Sequence, residues 1–149
     1  MDKALKMQGW KIGIVTLLAV VATGMLVLVN AGCATHQAVS VNYGTSKVHS
    51  KAELAQAVEV LKADFAKLEG CKLYSLTYAG DERSKQELET ANQGRAQDEL
   101  YTDCIVFDST FRSPVAGGDA WEANKLYYWN WTLAKTKNGV WIVINKGYC

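Results

Sequence analysis

Residues 50–78 read SKAELAQAVEVLKADFAKLEGCKLYSLTY, and within them the apolar spacing changes from helical to alternating. Ser50-Lys51-Ala52-Glu53 has capping-box spacing: the Ser hydroxyl can accept from the third amide while the Glu carboxylate returns to the Ser amide. A helix therefore starts here. Leu54, Val58, Leu61, Phe65 and Leu68 recur at steps of three and four and share one stripe, with Lys51, Glu59, Lys62 and Lys67 on other faces. Gly70 supplies the stop. From Cys71 to Tyr78 the period falls to two, with Leu73, Ser75 and Thr77 on one side and Tyr74, Leu76 and Tyr78 on the other, which predicts a strand.

Outward from this pair, Ala79-Gly80-Asp81-Glu82 reads as a turn. Ser84-Lys85-Gln86-Glu87 repeats the capping spacing with only Leu88 and Ala91 behind it, a short helix or an irregular loop ending at Gly94. Three further strands are expected over 104–111, 126–134 and 140–145. Asn138-Gly139 joins the last two as a hairpin, because both residues tolerate positive φ. Pro114 and Gly117-Gly118-Asp119 mark a longer connection before the third strand. The fold class predicted is α+β: one long amphipathic helix packed on a curved antiparallel sheet of about four strands, preceded by a hydrophobic N-terminal signal or anchor helix.

The leader is the other clear feature. Lys3, Lys6 and Lys11 precede an uncharged apolar run from Ile12 to Val29, a positive region followed by a hydrophobic one. As a helix the run would be about 27 Å long, close to the roughly 30 Å of a hydrocarbon core, so its length alone fits either a signal peptide or a membrane anchor. Ala31-Gly32-Cys33 then resembles a bacterial lipoprotein signal, in which the cysteine is lipidated and becomes the first mature residue. That resemblance assigns the lipid to Cys33, although Asn30 stands where Leu is usual. An uncleaved anchor and cleavage after Ala31 with secretion are the alternatives. All three put the domain on the extracytoplasmic face of the cell membrane. The chain then divides into a leader over 1–32, a small polar flexible tether over 33–49, and a domain over 50–149.

The 149 residues carry 16 Lys+Arg against 15 Asp+Glu. With no clustered basic excess, a nucleic-acid partner is not expected. Beyond Cys33 the cysteines are Cys71, Cys104 and Cys149. In an up-down meander Cys71 and Cys149 fall at the same end of the sheet and Cys104 at the other. The expected disulfide is therefore Cys71 with Cys149, leaving Cys104 buried and inert. No pair has the spacing of a redox motif or a zinc knuckle, so neither metal nor cofactor is expected.

Both histidines, His36 and His49, precede the helix and are read as solvated, which leaves the domain without an imidazole and argues against catalysis. An alternative is a small cone-pocket enzyme, a hydrolase or dehydratase, using Asp81, Asp108 and Arg112. Ten of the 15 aromatic residues lie between Tyr101 and Cys149. Tyr127, Trp129 and Trp131 alternate onto one face, to be buried beneath the helix or, with Asp81, to form a ligand or partner surface.

The order of motifs resembles an uncharacterised family of Gram-positive extracellular lipoproteins with a cystatin-like, nuclear-transport-factor-like domain. Matching residues are Gly70-Cys71-Lys72-Leu73, Tyr78 to Glu82, Ile105-Val106-Phe107 with Ser109 and Phe111, Gly117-Gly118-Asp119, Tyr127, Trp129, Trp131, Leu133, Gly139, Trp141 and Gly147-Tyr148. Cys149 stands where the family pattern has a glycine. The resemblance implies fold and location and carries no activity. The expected function is a membrane-anchored, non-catalytic binding or interaction module for an extracellular protein or small molecule, an immunity or inhibitor lipoprotein being a further alternative.

Overall fold

The structure, a computed structural model, describes residues 38–118 and 120–148. In chain order these form β1 (Ser40–Asn42), α1 (Lys51–Phe65), β2 (Lys72–Tyr78), α2 (Asp81–Asn92), β3 (Asp103–Arg112), β4 (Leu126–Lys135) and β5 (Trp141–Tyr148). The leader and Cys33 lie outside the described residues, and among the described ones no helix is long and apolar enough to cross a membrane.

Helix α1 starts where its spacing predicts but ends at Phe65, so Leu68, expected on the same stripe, lies in the turns that lead to Gly70. The Glu53 amide donates to Ser50 Oγ at 3.2 Å and the Ser50 amide to Glu53 Oε2 at 3.0 Å, closing the capping box. Leu54, Val58, Leu61 and Phe65 are buried together with Ala57. Two cross-element ion pairs hold the helix to the sheet: Lys135 of β4 reaches Glu53, and Lys146 of β5 reaches Asp64. After the helix, Gly70 takes φ +71°, and a Cβ there would stand 3.0 Å from the Pro114 ring. Only glycine avoids both the strained conformation and that clash.

The sheet is mixed and five-stranded in the order β1-β2-β3-β4-β5. The meander from β2 to β5 is antiparallel as expected, but β1 is an additional strand, parallel to β2 with Ser40 beside Ser75 and Asn42 beside Thr77. Over residues 38–49 an ordered segment thus replaces the expected flexible tether, whose first part, 33–37, lies outside the described residues. Val39, Val41 and Tyr43 alternate with polar residues, and all three pack against the core. The β4–β5 hairpin closes at Thr136, whose amide donates to Val140 O at 2.9 Å, with Gly139 at φ +78°.

A second correction concerns α2. The turn read at Asp81-Glu82 is its first turn, entered through Gly80 at φ +99°, and the two carboxylates sit where the helix dipole favours negative charge. Ser84 is not a cap. It is buried, and its hydroxyl accepts the Val106 amide at 3.2 Å, docking α2 on β3. The two helices thus cover opposite faces. Ile105, Phe107, Phe111, Trp131 and Leu133 join α1 in the main core, and the alternate positions Cys104, Val106, Thr132 and Ala134 are buried on the face of α2.

Trp131 lies at the centre of the main core. It is fully buried, its ring centroid is 6.0 Å from that of Phe65, and its indole donates to Ser109 Oγ at 2.9 Å. Trp131→Ala is expected to lower the unfolding free energy by about 3–5 kcal/mol. Tyr128→Ala, on the exposed alternate position, should stay within about 0.5 kcal/mol. Urea midpoints of the two variants check the contrast.

Candidate functional site: a buried imidazole between the two helices

His49 precedes the α1 cap Ser50, a position where an entering side chain packs back against the first turn. Its side chain is only 3% exposed. Nε2 stands 2.9 Å from Asp103 Oδ1 at the start of β3, and Nδ1 stands 3.0 Å from Tyr78 Oη at the end of β2. The Tyr78 hydroxyl also donates to Asp81 Oδ1 at 2.8 Å. Asp81, the first residue of α2, in turn takes the Ser46 hydroxyl at 2.5 Å and the Lys47 amide at 2.8 Å. Ser46 Oγ accepts the Val48 and His49 amides, so the segment before α1 is folded around it.

The single Tyr78 hydrogen can serve His49 Nδ1 or Asp81 Oδ1, not both at once. A neutral imidazole donates from Nε2 to Asp103 and accepts the Tyr78 hydroxyl at Nδ1, which takes that hydrogen away from the Asp81 contact. An imidazolium donates from both nitrogens, and Tyr78 then turns its hydrogen to Asp81. No polar atom is orphaned either way, which is what a polar group at this burial requires. The Ser46 hydroxyl, then the Lys47 amide, hold the Asp81 carboxyl below the usual range against a partial desolvation. Burial pushes the Tyr78 hydroxyl up, and the neighbouring Asp81 adds to the effect.

This arrangement fastens the segment before α1 to β2, α2 and β3. Both nitrogens of the ring are committed within the fold, although the ring borders an open depression of about 440 Å³ shared with Val41, Tyr43, Ser46, Lys51 and Leu54. The reading of His49 as solvated is thereby corrected. What hid it was position: a histidine next to a helix start reads as part of the entering segment, and its partners Tyr78 and Asp103 lie far along the chain.

The other expected site residues do not converge. Asp81 belongs to this junction. Asp108 is exposed on β3 and accepts from Asn130, while Arg112 donates to Asn124 O at 2.8 Å. Asp108 and Arg112 stand four residue steps apart along one strand, about 13 Å. Of the aromatic set, Trp131 and Tyr127 are buried and Trp129 is half-buried, so Tyr127, Trp129 and Trp131 line no common surface with Asp81. Beyond the end of α1, Tyr127 and Trp129 instead join Trp121 in a cluster around Phe111, whose centroid lies 5.7 Å from Trp121, 5.6 Å from Tyr127 and 5.1 Å from Trp129.

Among the described residues there is no disulfide and no set of three His, Cys, Asp or Glu side chains placed to hold a metal ion. Cys104 is a buried thiol that desolvation, with Glu87 and Asp103 nearby, pushes up to about 12, far from a reactive thiolate. The Cys71–Cys149 pairing lies outside the described residues because Cys149 does. Cys71 and Tyr148 do flank strands that share one end of the sheet, but β3 and β4 run between those strands, three strand spacings or about 14 Å along the sheet.

Comparison with protein-family models, with curated proteins and with solved structures found no match.

Tyr78→Phe removes the hydroxyl shared by His49 and Asp81 and is expected to cost about 1–2 kcal/mol of stability at neutral pH. Because Asp81 titrates lower in the folded than in the unfolded chain, its contribution is present above about pH 5 and is lost as pH falls below about 4. Asp81→Asn should therefore be less stable than the parent near neutrality and show a flatter acid limb, measured by urea unfolding from acid to neutral pH.

Proposed function

We propose that this chain is an extracytoplasmic lipoprotein, held at the cell membrane through Cys33, whose folded domain is a non-catalytic interaction module for an extracellular protein. Support for the anchor comes from the Lys-flanked apolar run Ile12 to Val29, from Ala31-Gly32-Cys33 and from the resemblance to a lipoprotein family. Support for a non-catalytic role comes from the closed His49 network and from the separation of Asp81, Asp108 and Arg112.

One observation carries the interaction reading. β5 is the terminal strand of the sheet, eight residues long and partnered on one side only among the described residues. Its sequence WIVINKGY is rich in strand-forming residues, and such an open edge is a template for an added strand. Beside it an open groove of about 490 Å³ runs between β5 and α2. Its floor is Ile142, Ile144 and Thr132, and Glu87 and Arg95 stand on the α2 side. Ile142 is 37% exposed there. Main-chain pairing along β5 would supply affinity, and the groove would accept alternate side chains of the added segment. An immunity or inhibitor lipoprotein is one form of such a module.

Two measurements test this. Intact mass of membrane-extracted protein should show a chain beginning at Cys33 plus lipid; a chain still beginning at Met1 overturns the lipidated form. A photoreactive residue at position 142, in cells, should join the domain to a discrete extracellular protein, with few adducts from position 59 on the exposed side of α1. Equal labelling from both positions overturns β5 as the interaction edge.

A further inference from the structure

We infer that the end of the sheet where β3 finishes docks on the headgroup layer of the membrane, with Val115, Tyr128 and Tyr148 as its contacting rim. This rests on the anchored reading above and adds an orientation and a lipid-facing surface to it. The first argument is reach. β1 runs parallel to β2, so the chain enters the domain from the end where β2 begins and β3 finishes at Arg112. Only five peptide steps separate Cys33 from Ala38, at most roughly 18 Å of extended chain. The ten residues of β3 span about 33 Å. A lipid on Cys33 therefore cannot let the opposite end, with Asp81 and Asp103, point down at the bilayer.

The second argument is what that end exposes. Val115 is 81% exposed in the connection after β3, Tyr128 58% and Tyr148 73%. Tyr128 and Tyr148 meet Lys125 around an open depression of about 260 Å³. Behind Tyr148 stand the packed rings of Tyr127 and Trp129, which Trp121 backs in turn. Tyrosines with an apolar ring and a wet hydroxyl are the residues that settle at a membrane interface. Lys72 and Arg112 lie at the same end, and neither pairs with a carboxylate among the described residues, which suits an anionic leaflet. Among the described residues the other exposed large apolar side chains, Val48, Val140 and Ile142, belong to the far end, beyond the reach of the short connection. Such a rim would hold the bilayer only weakly in solution, and the anchor raises its effective concentration there.

The test uses the full chain reconstituted into vesicles of phosphatidylcholine and phosphatidylglycerol, with a photoreactive residue at exposed position 115 or 140. Flotation with the vesicles reports anchoring, and lipid adducts report docking. Expected are about tenfold more lipid adducts from position 115 than from 140, and loss of that excess in Tyr128→Asp/Tyr148→Asp with flotation unchanged. A chain that floats but labels lipid equally from both positions overturns the docking and leaves the anchor standing. So does labelling from 115 that goes to a second copy of the chain. A chain that does not float overturns both.

Discussion

Burial of β3 on both faces is the constraint on which the other elements depend. Its first half presents Ile105 and Phe107 to α1 and Cys104 and Val106 to α2, all with no more than 1% of their surface exposed. A strand in this position needs partners on both edges and a cover on both faces. β2 and β4 supply the edges and the two helices the covers. Its first residue, Asp103, holds His49 and so ties the segment before α1 to the same strand. Past Phe107 the even-numbered face is uncovered, and Asp108 is exposed there. α2 is twelve residues, about 18 Å long, and covers part of a strand of about 33 Å. The exposed polar positions of β3 begin where that cover stops.

Elements made by local rules were legible in the residues. The capping box at Ser50 and the stripe from Leu54 to Phe65 describe α1, and Asn138-Gly139 marks the hairpin. The strands were also readable, because each carries its own alternation and turn signals. The rest depends on contacts between residues far apart. β1 has three residues, too short a period to separate from a polar linker, and its pairing with Ser75 to Thr77 is visible only after both are placed. α2 begins three residues before the capping pattern that would suggest it, since docking of Ser84 on the Val106 amide overrides the propensity for a cap. His49 was misread for the same reason: its partners Tyr78 and Asp103 are 29 and 54 residues away.

The same distinction explains why the proposed site residues scattered. Alternation put Tyr127, Trp129 and Trp131 on one face, and they do share it, but a common face is not a common environment. α1 ends at Phe65, and only Trp131 lies fully under it. Tyr127 and Trp129 are covered instead by Trp121, from a connection whose path no periodicity specifies. What remained exposed was the alternate residue Tyr128 and the last described residue of β5, Tyr148.

The two ends of the sheet are consequently closed by different chemistry. At the Asp103 end the chain crosses from β2 into α2 and from the entering segment into α1, so backbone groups and helix starts crowd together. Such groups need polar partners, and the His49, Tyr78, Asp81 and Ser46 network supplies them with carboxylates. At the Arg112 end α1 has already stopped and the sheet continues beyond it. The gap there is filled by side chains large enough to bridge it, Phe111, Trp121, Tyr127 and Trp129. A cluster of large rings at a sheet end cannot bury all its edges, whereas a carboxylate network at the other end can satisfy all its hydrogen bonds. The domain therefore closes one end with a carboxylate network and the other with packed rings, and the chain toward Cys33 leaves from the second.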